Sequence, residues 1–559
     1  MTVQTTTGGR NREKGRQEIQ GNVLFRHLNS AIPILIWMSP LMSGLLSLHM
    51  GKSMAWDLLH YHYYNGYAFL NGRLGVDILP AVFHTFLNPV LDIAFYAGVE
   101  TLPARAVGFI LGVIHGFNIV LLFHCARLVL GPRVKGSVAL PNLLPAFLAA
   151  AGFGGAAAMG TLGSWHHDLI ASLFFLGALL ILLSPPIGPA KRHPWLRPAG
   201  AGLVVGIGLG LKLTLAPFVL AIVVAPLACK GPVRDRLLYC VAAGCASVVG
   251  LLASGGFWML RMREEFGNPF FPFFNRLFNS PFAAAGDGRD LRYLPTDLLE
   301  YLIYPVIFSF DGDRISEAPW RDYRLLSAFV VAALLLVVLP VRRMVRWRLD
   351  GGTFTGPNAR MMLWTALVGY GGWLVLFSIH RYAVPLEMMA PLLLCVMLVA
   401  LLGTRLGVTA TVACCLVLVV TTAKSDFARK DWGDEPFVGA AVPAQYRGLR
   451  DAVILMAGRG ADAHFIPAFD PSNRFLRLDG FDYVYRADNP FTRRAAAIVS
   501  GHEGPVYGMF RRDRRGQGVE AAFRSFGFAI DDDSCAKVES TVRPPEPTFL
   551  CRLVPTAAR

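Results

Sequence analysis

Met54-Ala55-Trp56-Asp57-Leu58-Leu59-His60-Tyr61-His62-Tyr63-Tyr64 follows closely on the first of eleven apolar segments in this chain. The segment before it, about 31–49, is long enough to cross a bilayer. An ionisable side chain at membrane depth is expensive, so a carboxylate ringed by His and Tyr at the end of a span marks a functional position. The other segments lie at roughly 106–130, 142–159, 167–184, 199–211, 213–229, 237–259, 324–341, 361–379, 383–403 and 406–423. Together they predict a polytopic α-helical membrane protein with about eleven transmembrane helices.

Composition agrees with that class. Of the 559 residues, 54% are hydrophobic and only 16% charged, against about 25% charged in soluble domains. The mean hydropathy is +0.46. The net charge of +15 is not a nucleic-acid signature. Much of the excess lies in short loops between apolar runs, and no zinc-finger spacing, RNA-binding motif or basic helix is present.

Those loops set an orientation. Arg10, Arg12, Lys14, Arg16 and Arg26 precede the first span. Arg133 with Lys135, Lys191 with Arg192 and Arg197, Lys230 with Arg234 and Arg236, the run Arg342, Arg343, Arg346, Arg348 and Arg360, and finally Arg405 fall in every second loop. The positive-inside rule assigns this side to the cytoplasm. The expectation is a bacterial inner-membrane protein with a cytoplasmic N-terminal tail (1–30) retained as part of a first span. The membrane domain is expected at 31–423, with outer loops at 50–105 and 260–323. A C-terminal extracytoplasmic unit at 424–559 then faces the periplasm.

That unit alternates short apolar runs with turn residues. Val453–Met456, His464–Pro467 and Pro505–Phe510 read as strands, and Arg493–Val499 and Gly518–Phe526 as helices, giving a small α/β domain. It carries no Gly-rich phosphate loop and reads as a docking or acceptor-recognition module. Cys535 and Cys551 stand apart from the seven membrane-associated cysteines and form a disulfide if the unit meets an oxidising compartment. In the first outer loop, Trp56, Tyr61, Tyr64, Tyr67 and Phe69 predict interfacial helices at headgroup depth.

The suggestive polar residues share the outer face. Asp57, His60 and His62 follow span one, and His166, His167 and Asp168 open span four. Lys212 sits at an outer turn, Glu264 and Glu265 follow span seven, and His380-Arg381-Tyr382 opens span ten. Lys212 and Arg381, with nearby His, suit a phosphate held at the interface. Snorkelling to the headgroups, or an Arg381–Glu387 ion pair, is the plainer alternative. Asp57 suits a general base; helix capping is its structural alternative, as it is for Asp168. His60 and His62 fit interfacial packing, second-shell support or a divalent cation, and Glu264 with Glu265 fits a solvated ion-pair turn.

This layout resembles the glycosyltransferase C superfamily, polytopic enzymes that use polyprenyl-phosphate-linked sugars. The resemblance rests on the acidic residue after span one (Asp57), the helices of that loop, the basic residue on an outer turn (Lys212) and His380-Arg381-Tyr382. It implies that Asp57 is the catalytic base, that Lys212 and Arg381 contact the donor phosphate with His380 beside them, and that some members use a divalent cation. The acceptor would be an envelope glycan, lipid or protein. Asp57 lacks the adjacent acidic partner of the protein mannosyltransferase branch, and no Trp-Trp-Asp motif follows the last span. The rival functions are a lipid-linked glycan transporter or flippase and a non-catalytic envelope assembly protein.

Overall fold

The computed structural model describes residues 30–131, 140–286, 288–345, 356–425, 427–480, 488–511, 518–542 and 547–556. The N-terminal arginines and the loop bearing Arg133 and Lys135 lie outside the described residues, as do Arg346 and Arg348. Among the described residues, five helices are long and apolar enough to cross a membrane: Ser30–Met50, Ala104–Leu130, Val233–Phe266, His380–Leu402 and Thr404–Thr421. Shorter apolar helices, among them Asp168–Leu183, Leu196–Leu211 and Leu213–Ala228, pack between them.

The expected continuous span over 142–159 is broken. A helix Leu140–Phe153 ends at Gly154-Gly155, and a six-residue helix, Ala156–Thr161, restarts beyond it. The Glu387 carboxylate occupies the space that a Cβ on Gly155 would need. The span over 237–259 is instead part of a 34-residue helix, Val233–Phe266, so Glu264 and Glu265 belong to its last turn and not to a following loop.

Close backbone approach fixes the pair Leu196–Leu211 and Val233–Phe266. A Cβ on Gly202 would meet the Ala243 carbonyl at 2.1 Å, and one on Gly206 would meet that of Ser247 at 2.1 Å. In lipid there is no hydrophobic drive between helices, so small residues every fourth position substitute dense packing for it. The row ends at Gly210, two residues before Lys212, and so anchors the turn that carries the lysine. Val241, Val248 and Leu252 on the far side of the long helix are more than half exposed, the pattern of a lipid-facing stripe.

The stretch between the first two long helices holds a π-helical turn, Leu58–His62, running into a helix over Tyr63–Leu70, then a 3-10 turn at Val82–Phe86 and a helix over Val90–Thr101. These elements are not an interfacial skirt. Tyr61, Tyr64 and Tyr67 are buried, and only Trp56 and Phe69 of the expected aromatics are exposed. The C-terminal unit covers them. Its strands run in spatial order Arg474–Arg477, Val453–Met456, Val506–Arg511, Thr548–Pro555 and Phe528–Ile530. The first three are parallel and the rest antiparallel, with Ala536–Val538 also pairing the long last strand. The stretch 464–467, expected as a strand, is instead a 3-10 helix, Ala463–Ala468.

The membrane-proximal loop completes this sheet. Ile78 bridges to Leu476, its amide donating to Phe475 O at 2.8 Å and its carbonyl accepting from Arg477 N at 2.9 Å. Asp77 accepts from Phe475 N, from the Tyr64 hydroxyl and from Arg73, and Arg73 also donates to the carbonyls of Pro471 and Asn473. Tyr61, Tyr64 and Tyr67 share one apolar cluster with Ile454, Phe465 and Tyr507. Lys52-Ser53, just past the first helix, pairs antiparallel with Arg429-Lys430, just past the last. Cys535 and Cys551 are joined by a disulfide that ties the edge of the sheet to its long strand.

Candidate active site

The fold gathers four of the sequence-selected side chains into one buried charge cluster. Asp57 directly precedes the π-helical turn, with backbone angles already helical and no capping hydrogen bond from its side chain. Capping therefore does not account for it. Its Oδ2 lies 2.5 Å from Arg381 Nη1. Arg381 comes from the 3-10 turn His380–Ala383 that opens the helix Val384–Leu402. The same guanidinium nitrogen is 3.8 Å from Asp168 Oδ2. Asp168 is the first residue of its helix, and His167 before it takes a left-handed conformation, φ 63°. A left-handed β-carbon residue stores strain, and such outliers concentrate at functional sites. Here it aims His167 and Asp168 in different directions.

Lys212 completes the cluster. It is the one extended residue between the helix Leu196–Leu211 and the turn Leu213–Leu215. Its Nζ is 2.6 Å from Asp168 Oδ1 and donates to the His166 carbonyl at 2.5 Å. Tyr382 presents its ring to both cations, 5.4 Å from Lys212 Nζ and 5.1 Å from the Arg381 guanidinium carbon. The lysine is therefore no snorkelling anchor, since it points into the protein, and Arg381 does not pair with Glu387.

Glu387 has another partner. It accepts from His380 Nε2 at 2.9 Å and from the amides of Ala157 and Ala158 at the N-terminus of the restarted helix. Trp320 stacks on the His380 ring with centroids 3.7 Å apart. His380 thus faces away from the cluster and braces the turn from which Arg381 projects.

Burial would raise the Asp57 carboxyl, but the adjoining Arg381 charge and hydrogen bond outweigh it and hold the group well below the usual carboxylate range. Asp57 is ionised. Burial lowers His62 and His166 well below the ordinary imidazole value.

His62 and His167 flank a third carboxylate. His62 Nδ1 lies 2.7 Å and His167 Nε2 3.1 Å from Asp92 Oδ1, which also accepts from Trp165 Nε1 at 2.8 Å. The sequence singled out both histidines but not Asp92, which sits in the first turn of Val90–Thr101 behind Asn88-Pro89. The only local signal was an acidic residue in the apolar first turn of a helix that also carries Glu100. His166 bonds Ser164 Oγ at 2.7 Å. His60 turns aside to stack on Trp56, centroids 4.0 Å apart, with His84 beyond it. Glu264 lies apart from the cluster, on a cavity of about 460 Å³ lined by Tyr64, Phe69, Trp258 and Arg261. Arg261 and Glu265 form a half-exposed ion pair there at 2.9 Å.

Taken together, the helix bundle, the buried elements after the first helix and the sheet-forming C-terminal unit define a multi-pass membrane fold. The fold is shared with ArnT from Cupriavidus metallidurans, solved bound to undecaprenyl phosphate: the two structures superpose with a TM-score of 0.50 at 12% identity, over 93% of this chain and 97% of that one. No family model matches the sequence, and no curated protein matches it.

Proposed function

We propose that the protein is a membrane glycosyltransferase that moves one sugar from a polyprenyl-phosphate-linked donor to a hydroxyl of an envelope glycan, lipid or protein on the outer face. The observation that carries this reading is the alternation of charge Asp57–Arg381–Asp168–Lys212, buried in one cluster. The shared fold supports it, since the ArnT structure holds a lipid phosphate.

Two cations are already neutralised by two carboxylates. A donor phosphate competes for both cations, because Arg and Lys bind phosphate as readily as carboxylate. Once Arg381 and Lys212 turn to the phosphate, Asp57 loses the partner that makes it a weak base. It then takes the proton of the acceptor hydroxyl. The acceptor oxygen bonds to C1 of the sugar from the face opposite the phosphate, the C1–O bond to phosphate breaks, and the configuration inverts. The polyprenyl phosphate leaves with one more negative charge, which Lys212 and Arg381 stabilise where it develops. The base is thereby armed only when donor is bound, which suppresses futile proton uptake.

The test is transfer by the purified full chain in liposomes carrying lipid-linked sugars from its own envelope, followed by mass spectrometry. Donor consumption with a matching mass gain on acceptor, lost in Asp57→Asn, is expected. Unchanged transfer in that variant overturns the assignment. Movement of intact lipid-linked sugar across the bilayer without bond cleavage would establish the transporter instead.

A further inference from the structure

Beside the charge cluster, the arrangement of His62, Asp92 and His167 does not read as a settled hydrogen-bond triad. Three donors, His62 Nδ1, His167 Nε2 and Trp165 Nε1, converge on the single oxygen Asp92 Oδ1. The His167 contact at 3.1 Å lacks hydrogen-bond alignment, and His62 Nε2 is buried with no hydrogen-bond partner among the described residues. A buried polar nitrogen without a partner is unfavourable, so something outside the chain is expected to use this site.

The ligand atoms lie within 4.8 Å of one another, and all three residues are buried. Tetrahedral zinc with bonds of about 2.0–2.1 Å sets its ligand atoms roughly 3.3 Å apart, inside the range these side chains span. Two imidazoles and one carboxylate are the donor set of a borderline transition metal, not of magnesium or calcium. The Trp165 indole donates to Asp92 Oδ1 and so fixes the orientation of the carboxylate, as hydrogen-bond donors to metal-binding carboxylates do. Charge points the same way. Lys212 and Arg381 pair with Asp168 and Asp57, while the partners of Asp92 among the described residues are His62, His167 and Trp165, so the three carboxylates and two cations are net negative by one. A net negative group repels a phosphate; one divalent cation reverses its sign.

We infer that His62, Asp92 and His167 bind one divalent transition-metal ion of the zinc type. Three protein ligands leave a fourth position for water or a phosphate oxygen. The site is separate from the general-base assignment, so each can fail alone.

The test uses the full chain in detergent, stripped with a chelator and titrated with Co²⁺, whose visible absorption reports low-coordinate nitrogen and oxygen ligation. One Co²⁺ per chain with an intense visible band is expected, displaced by Zn²⁺. His167→Gln should abolish the band. Trp165→Phe, which leaves every ligand in place, should weaken affinity by about 10- to 100-fold. Asp57→Asn should leave the band unchanged. If no band forms, or if it forms equally in His167→Gln and Trp165→Phe, the triad is a hydrogen-bonded one and the inference is overturned. Should His167→Gln not fold, the Trp165→Phe titration decides. Asp57-dependent transfer without metal binding would remove the ion and leave the proposed function standing.

Discussion

Arg381 Nη1 lies 2.5 Å from Asp57 Oδ2, across 324 residues of chain. Neither residue has another carboxylate or cation as close, and both are largely buried. The contact joins the stretch after the first long helix to the start of the helix His380–Leu402, and the Asp57 position in the proposed reaction depends on it.

Asp57→Asn should lower transfer by about 10²- to 10⁴-fold, the usual contribution of a general base. Asn retains an oxygen for Arg381 but not the charge, so the variant should fold with a lowered thermal midpoint, as breaking a buried pair does. Transfer rate and melting temperature measured on one preparation check both halves. A folded variant with full activity removes Asp57 from the chemistry.

Removing the arginine should shift the pH response. The Asp57 carboxyl is depressed in the folded protein, so its stabilising charge is present above the unfolded carboxylate value of about 3.9 and is lost only as pH falls through the lower folded value. The kcat/KM of the native protein, which reports the free enzyme with Arg381 still on Asp57, should therefore show no acid limb from Asp57 between pH 5 and 8, a window taken from the direction of that shift, whereas kcat reports the donor-bound state in which that partner has turned away. In Arg381→Gln burial is no longer offset, and a new acid limb should appear at higher pH on a reduced rate. An unchanged kcat/KM profile shape would argue against Asp57 as the titrating base.

Lys212 and Asp168 should be coupled in stability. Lys212→Met leaves a buried carboxylate with only the more distant Arg381, a loss on the order of 3 kcal/mol. Lys212→Met with Asp168→Leu should recover much of it, as paired removal of buried charges does, while both forms stay inactive. Denaturation of the two single variants and the double variant gives the coupling energy, and simple additivity would refute it.

Deleting the C-terminal unit is a poor way to separate enzyme from scaffold, because the unit buries the loop that carries Asp57. Asp77→Ala is more selective. It breaks the Arg73 pair and the Phe475 amide bond together. We expect a loss of about 3–5 kcal/mol and faster proteolysis between the loop and the sheet, with slower transfer. Unaltered proteolysis would show that the two parts hold together without it.

The Cys535–Cys551 bond closes a short loop, with a sequence separation of 16. Reduction, or replacement of both by Ala, should destabilise the sheet by about 3 kcal/mol in the chain-entropy account. Peptide mapping with and without reductant checks the bond, and differential melting checks the cost.

Hydropathy made the helical membrane class legible, because a span needs a run of apolar residues that no other structure demands. The clustered polar positions were legible for the same reason: Asp57, Lys212, Asp168 and Arg381 each interrupt or terminate an apolar stretch. Short-range pattern also gave the strands at 453–456 and 506–511. It misread 464–467, where an apolar tetrapeptide closed by Pro467 fits a strand or a buried turn equally well.

Partnership was invisible. Whether Arg381 meets Glu387, six residues on, or Asp57, 324 residues back, depends on which way a 3-10 turn faces, and the buried His380–Glu387 clamp decides that. Asp92 carried no motif, and only the fold brings it between His62 and His167. The aromatics of the first loop pointed to headgroups by composition; a sheet edge hundreds of residues away covered them instead. Hydrophobicity is a property each residue has alone and can be read one residue at a time. Charge pairing and shared cores are properties of distance, and distance between remote segments exists only once the chain has folded.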